Sequence, residues 1–355
     1  PSVLMMFHRR SGTLDAELTA MNECMPHYYR ITQGHGQGAE LLMNAEAAFM
    51  QGNFSDAQIL LEQTYSTIAS NGQHNISLCC DFLAARLSLF QEGVTFVKNP
   101  EVKRKELLSL HNMMWLNIFD STYAYYYALI RMPEKIPALF KDHMLSTVSF
   151  LSPCRPMMEM IENQVFLSQK MYAKVIGRSE TLLPFCEKMH YELVSLHVQI
   201  QTASAYAMLG KHHDARQLLQ KALGHAMPDG FLIPFVENYT YIKDVLGSIN
   251  SITPEPFTDR ILSLGSVYEQ HCLRLSSRNS RPEILNMLNS REAEIAALIT
   301  DRLSNREIAE RLFLSEGTVK QYINQIYSKL MINGDTRTKR KQLAELISSI
   351  NKGLT

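Results

Sequence analysis

Apolar residues recur at spacings of three and four along most of the first 275 positions, as at Leu41, Ala45 and Phe49 or at Ile200, Ala203 and Ala207. That period lines one face of a helix. Period-two alternation is scarce. The turn dipeptides Asn71-Gly72 and Asp229-Gly230 stand between helical patterns, not between apolar strands, and read as helix ends. The pattern predicts an all-α chain.

Two stretches of this pattern are alike. Gly52, Asp56, Ala57 and Leu61 are matched in order and spacing by Gly210, Asp214, Ala215 and Leu219, and each set follows an alanine-rich amphipathic stretch. The physics is that of a helical hairpin. The glycine ends one helix in a left-handed conformation. The aspartate sits near the start of the next, where its charge suits the helix dipole, and the small alanine admits a close approach. The unit resembles the tetratricopeptide repeat, a helix pair of about 34 residues. The two copies are not separated by a multiple of that period, so the resemblance implies a degenerate, TPR-like helical-repeat superhelix. Such an array offers a concave face to a peptide, a protein or a small effector, and nothing in the sequence selects among them.

Pro254 and Pro256 interrupt the pattern, one more helix is predicted over 258–275, and the polar run from Ser276 to Pro282 reads as a linker. The expected organisation is a helical-repeat sensor or interaction domain at 1–275, a linker at 276–286 and a separate C-terminal domain at 287–355.

The C-terminal domain is the most specific part of the text. Asn289 with Glu292, and Ser304 with Glu307, have the spacing of capping boxes. Ile295, Leu298 and Ile299 form the inward stripe of the first helix, and Ile308, Ala309 and Leu312 that of the second. After a turn at 314–318, a third helix is predicted over 316–330. Its Val319, Ile323, Ile326 and Leu330 share one face, and Lys320, Gln321, Asn324 and Ser328 the other. Lysine donates to guanine, and glutamine or asparagine pairs with adenine, at the edges exposed in the major groove. A short helix, a turn and a helix showing these side chains make a helix-turn-helix, whose second helix enters the groove.

Leu288-Asn289-Ser290-Arg291-Glu292, Ser304-Asn305-Arg306-Glu307-Ile308-Ala309, Thr318-Val319-Lys320 and Lys329-Leu330 resemble the signature of the LuxR-type helix-turn-helix over roughly 287–347. The resemblance implies a four-helix DNA-binding domain with base contacts at Lys320, Gln321 and Asn324. It implies phosphate contacts at Ser304, Asn305, Arg306, Thr318 and Lys329, and helix amino termini suit phosphate on their own account. It also implies pairing of two protomers through the fourth helix, whose apolar positions are Leu343, Leu346, Ile347 and Ile350. Three departures stand out. Arg302 occupies a place where the family commonly has glycine, Tyr322 replaces the usual histidine, and the connection through Asn333, Gly334, Asp335 and Thr336 is longer by about two residues. This connection leads into a basic run, Arg337, Lys339, Arg340 and Lys341, expected to grip a phosphate.

The segment from Ala203 to Phe235 resembles the last repeats of MalT-like, ATP-binding LuxR regulators. Their nucleotide module has no counterpart here. No G-x-x-x-x-G-K-[ST] occurs, and Gly34-His35-Gly36-Gln37-Gly38 lacks the lysine and hydroxyl that hold phosphate and magnesium, so it reads as an interhelical loop. With Pro1 rather than methionine in first place, the chain is expected to be part of a longer regulator or a short relative without the ATPase.

Composition narrows the rest. The 355 residues are 46% hydrophobic with a formal net charge of zero, so a large core is available and any nucleic-acid surface is local. Six cysteines show no metal spacing and are expected to be buried free thiols of a reducing cytoplasm. The most apolar stretch, 115–132, is broken by Asn117, Asp120 and Arg131, so no membrane span is expected. Its aromatic residues, Trp115, Phe119, Tyr123, Tyr125, Tyr126 and Tyr127, read as packed core before they read as a ligand pocket. No enzyme signature occurs. His212-His213-Asp214 falls in a predicted turn, and no metal or cofactor is expected. The function that follows is a bacterial transcription regulator, binding double-stranded DNA as a homodimer under an effector held by the repeats. The alternative is a protein-interaction scaffold with vestigial DNA binding. A response regulator would need an α/β receiver that the helical N-terminal part does not provide.

Overall fold

The computed structural model describes residues 2–69, 73–91, 94, 96, 100–148, 150, 152–279, 288–301, 303–330, 332 and 334–352. Side chains at 152, 277–279, 336, 337 and 348–352 lie outside that description, as do Arg302 and most of the expected linker, 280–286. The described residues contain no strand, and the all-α reading holds. Two compact units divide between Leu273 and Arg274.

The first unit begins with α1 (Val3–Phe7) and α2 (Leu14–Ile31), followed by α3 (Ala39–Met50), α4 (Phe54–Ile68) and α5 (His74–Leu87). Next come α6 (Pro100–Ser109), α7 (Met113–Leu129), α8 (Ala138–Lys141), α9 (Arg155–Ser168) and α10 (Tyr172–Met189). It finishes with α11 (Glu192–Met208), α12 (His212–Ala226), α13 (Ile233–Glu237), α14 (Tyr239–Ile252) and α15 (Pro256–Asn279), the last running into the first positions expected as linker. None of these helices is long and apolar enough to cross a membrane.

The hairpins read from the sequence are present. Gly52 at φ +80° and Gly210 at φ +75° turn the chain between α3 and α4 and between α11 and α12. A side chain at either would need a backbone conformation that L residues avoid. Ala57 and Ala215 are fully buried where the paired helices meet. Helix α11 is buried on every side from Leu193 to Ala205 and packs against α9, α10, α12 and α14, so it is the axis of the unit.

The ends of this unit meet, which an open superhelix touching only its neighbours would not do. α13 packs on α3, and the amide of Leu232 donates to the carbonyl of Met50 at 2.8 Å. Arg86 of α5 donates to both carboxylate oxygens of Glu237 in α13, at 2.7 and 3.0 Å, and both side chains are buried. The guanidinium lies among the rings of Phe49, Phe82 and Tyr125, and the Tyr125 hydroxyl completes the Glu237 carboxylate at 2.8 Å. Asp229, just before the left-handed Gly230, accepts from the amides of Gly12 and Leu14 and so fastens the start of α2.

The aromatic run of α7 packs as core. Phe119 and Tyr123 lie with Leu78, Leu107 and Leu116, and the Trp115 indole nitrogen donates to Asn75 at 2.7 Å. Gly34–Gly38 is the turn between α2 and α3, where the Tyr29 hydroxyl accepts from the Gly38 amide at 3.2 Å. All six cysteines are free thiols. Cys80, Cys186 and Cys272 are buried, but Cys24 is exposed and Cys79 and Cys154 are half-buried, so the expectation of uniform burial is corrected. Alternating polar neighbours on one helix face do not show how far a neighbouring element covers it.

Candidate nucleic-acid interface

The second unit contains α16 (Ser290–Thr300), α17 (Asn305–Leu312), α18 (Glu316–Lys329) and α19 (Thr336–Lys352). The first two start at the capping boxes read from the sequence, and the third at a cap within the predicted turn. Asn289 accepts from the Glu292 amide at 2.9 Å, and Glu292 accepts from the Asn289 amide at 2.7 Å. Ser304 and Glu307 make the same reciprocal pair at 3.3 and 2.6 Å. The Ser315 hydroxyl accepts from the Thr318 amide at 3.0 Å. Hydrogen bonds from Ser304 hold the exposed Glu307 carboxyl below its ordinary range.

A single apolar cluster joins the four helices. Ile295 and Ile299 of α16, Ile308 and Leu312 of α17, and Val319, Ile323, Ile326 and Tyr327 of α18 are buried in it, with Leu343 and Ile347 of α19. This burial fixes the rotation of α18. With Val319, Ile323 and Ile326 inward, Lys320, Gln321, Asn324 and Ser328 are exposed together. Gln325 joins them on the outer face. Sequence reasoning missed it, although its place four residues after Gln321 was the signal.

The expected phosphate positions divide into distinct roles. The capping box of α17 uses the amides of Ser304 and Glu307, which leaves those of Asn305 and Arg306 for solvent or an anion, since first-turn amides have no partner inside the helix. The Arg306 side chain pairs with Glu310 at 3.1 Å, one turn on and exposed. Thr318 shares a 2.8 Å hydroxyl–hydroxyl bond with Ser315 at the start of α18. Lys329 reaches back to Glu292 at 2.6 Å. Burial alone raises the Glu292 carboxyl. Hydrogen bonds from Lys329 and the Asn289 amide outweigh it and hold the group below its ordinary range.

The basic run also divides. Arg340 donates to the Leu303 carbonyl and to the Asn305 side chain, the latter at 2.7 Å, and so braces the entry to α17 from α19. The Lys339 ammonium lies 5.9 Å from the centre of the Tyr327 ring. Lys341 is exposed, 3.7 Å from Glu345. The Arg337 side chain lies outside the described residues. Asp335, in the lengthened connection, accepts from the Thr338 amide at 2.8 Å and caps α19.

The apolar stripe of α19 is mostly consumed at home. Leu343 is fully buried and Ile347 nearly so, and both are core residues of their own domain. Neither side chain faces outward as the expected pairing needs. Leu346 is half-buried against the same core, and Ile350 lies outside the described residues. The reason is geometric: α19 packs along α16, so its inward positions help to close the domain's own core.

Two further residues were not legible as functional. Arg291 donates to the Leu312 carbonyl at 2.7 Å and ties the C-terminus of α17 to α16. Phe313, at the turn, adopts φ +54° and is 96% exposed.

Two short helices joined by a tight turn, the second presenting Lys320, Gln321 and Asn324 from a buried base, define a helix-turn-helix domain. Residues 286–340 match the family described as bacterial regulatory proteins, luxR family. The chain therefore carries a LuxR-family domain at its C-terminus. Over 110 residues it is 32% identical to the transcriptional regulatory protein LnrK of Bacillus subtilis, covering 30% of this chain and 49% of that protein. Over 65 residues it is 42% identical to the transcriptional regulatory protein LiaR of the same organism, covering 18% and 30% of the two chains. Over 53 residues it is 43% identical to the transcriptional regulatory protein DegU of Brevibacillus brevis, covering 15% and 22%. The chain thus spans about half or less of the length of these relatives. No solved structure matches it significantly.

Proposed function

We propose that the chain is a sequence-specific, DNA-binding transcription regulator acting in the bacterial cytoplasm. The observation that carries this reading is the division of α18: Val319, Ile323 and Ile326 are buried, so Lys320, Gln321 and Asn324 are held outward on a rigid helix. Side chains on a packed helix keep the precision that base readout needs. In this reading Lys320, Gln321 and Asn324 touch base edges. The amides of Asn305 and Arg306, the hydroxyls of Ser304 and Thr318, and the cations of Arg306, Lys329, Arg337, Lys339, Arg340 and Lys341 meet phosphates. Phosphate contacts set register and affinity, and base contacts set sequence preference.

Two protomers bind together, with half-sites about one helical turn apart. Leu343 and Ile347 are spent in the core, so pairing uses the outward edge of α19, where Gln342 and Glu345 are exposed beside Leu346. The first unit acts as the sensor. An effector that binds its alternative states unequally shifts the fraction of molecules free to pair on DNA. The sequence resemblance of the segment from Ala203 to Phe235 to MalT-like regulators favours this role.

The test is binding of the full chain to genomic fragments over a salt series, with Lys320→Ala in parallel. Selective binding that the substitution abolishes supports the proposal. Weak binding equal in both proteins favours an interaction scaffold.

A further inference from the structure

A cavity of about 410 Å³ opens inside the first unit between α1, α5, α7, the segment before α9 and the start of α11. Its walls are largely apolar, with Met6, Met114, Ile118, Phe150 and Met157 among the lining residues. The volume falls within the range of about 300–1,000 Å³ typical of small-molecule sites. Flexible thioether side chains suit an apolar guest without fixed shape.

Among the described residues that line this cavity, Arg9 is the cation. The Arg9 guanidinium lies 5.1 Å from the centre of the Tyr191 ring, and one of its nitrogens donates to the Met189 carbonyl at 3.2 Å. No carboxylate among the described residues pairs with it. Glu17, at the start of α2, is occupied by the Arg9 amide, His8 and Thr13. A stacked guanidinium with unused donors at the rim of an apolar cavity matches a ligand with one anionic group and an apolar body, since arginine binds carboxylate or sulfate oxygens through parallel donors.

We propose that this cavity binds one free, single-chain anionic amphiphile, its head against Arg9 and its tail among the methionines. The volume and the apolar lining suit a single alkyl chain of medium length whose head reaches Arg9. This occupant deepens the sensor reading of the first unit by naming its ligand class. Its binding is measured without DNA, so it stands or falls separately from that reading.

The test titrates the full chain with decanoate, decyl sulfate, decylamine and 1-decanol in a calorimeter, each below its micellar concentration. Alkylation by iodoacetamide is followed at each cysteine by mass spectrometry. Cys79 and Cys154 line the cavity, and exposed Cys24 is the internal reference. Decanoate and decyl sulfate are expected to bind with one-site saturation and to slow alkylation at Cys79 and Cys154 but not at Cys24. Arg9→Gln is expected to weaken both anions about tenfold and leave 1-decanol unchanged, in line with the loss of one charged contact. Met114→Trp, which fills the cavity, is expected to abolish binding of all four while the melting temperature is retained. The proposal is overturned if decylamine binds as well as decanoate, if Cys79 and Cys154 are not protected, or if neither anion saturates. Binding only to phosphatidylglycerol vesicles, with none to monomeric decanoate, overturns it in favour of a membrane surface.

Discussion

The Lys329 ammonium lies 2.6 Å from a carboxylate oxygen of Glu292, whose side chain is 1% exposed. The same carboxylate accepts the Asn289 amide, so one buried acid joins the start of α16 to the end of the groove-facing helix. A residue recognisable in the sequence as a cap is also the anchor of an expected DNA contact.

Glu292→Gln is therefore expected to destabilise the C-terminal unit by about 1–3 kcal/mol, through a weakened cap and a lost charged hydrogen bond. The wild-type carboxyl is held below its unfolded value of about 4.3. Its stabilisation is thus fully present above that value and disappears as pH falls through the lower folded-state pKa. Hydrogen-exchange protection over 290–330, followed on acidification, is expected to drop in the wild type and to be lower but flatter in the variant. Equal protection in the two proteins at neutral pH would remove the anchoring role.

Arg340 and Lys341 are adjacent but differently engaged. Arg340 is tied to Leu303 and Asn305, while Lys341 is exposed. Lys341→Ala is expected to leave stability unchanged and to reduce the log–log salt slope of DNA binding by about 0.9 per protomer, the loss of one phosphate contact. Arg340→Ala is expected to cut affinity more and to lower exchange protection at the start of α17 as well. Replacing Lys339, Arg340 and Lys341 together flattens the slope further. An unchanged slope in the triple variant would show that the run does not touch the backbone.

Phe313 combines a left-handed backbone with nearly full exposure. The conformation costs an ordinary L residue roughly 1–2 kcal/mol, and asparagine tolerates it better. Phe313→Asn is expected to raise stability by about 0.5–1 kcal/mol, read from the denaturant midpoint at constant slope. A fall in stability would mean that the ring packs in solution.

What the sequence disclosed follows from the range of the interactions involved. The caps at Asn289 and Ser304 act over three residues, and the stripe of Val319, Ile323 and Ile326 over seven, so both are written locally. The closure of the first unit depends on Arg86 and Glu237, 151 positions apart, and no periodicity announces that pairing. The fate of Leu343 and Ile347 was ambiguous for a related reason. An apolar stripe must be covered, but its spacing is the same whether the cover is its own domain or a partner.

The Arg86–Glu237 pair is expected to be a principal brace of the first unit. Arg86→Ala leaves a buried carboxylate with Tyr125 as its one remaining partner among the described residues, and removing one member of such a pair costs about 3–5 kcal/mol. A replacement of both residues by apolar ones of similar volume is expected to cost far less. Chemical denaturation of the two variants separates these outcomes, and equal losses would show that packing around the guanidinium, not charge pairing, is what matters.

Glu46 gives the first unit a pH response of opposite sign to that of Glu292. The side chain is buried in α3, and one oxygen accepts the Leu4 amide at 2.7 Å, holding α1 on α3. Burial pushes its carboxyl up to about 7, against the pull of the Leu4 amide, the Ser2 hydroxyl and the charge of Arg86. Between the unfolded value of about 4.3 and about 7, the folded state holds a proton that the unfolded state has lost. Stability from this group therefore falls as pH rises across that window and levels off above it, by roughly 4 kcal/mol in total. Glu46→Gln keeps an acceptor for Leu4 and carries no titrating group. Wild type and variant are expected to match in stability near pH 4.5 and to diverge towards pH 7.5, with the variant the more stable. Denaturant titrations at these two pH values measure the difference directly. A difference that does not change with pH would mean that Glu46 is ionised throughout the window, its charge compensated by Arg86 across the core.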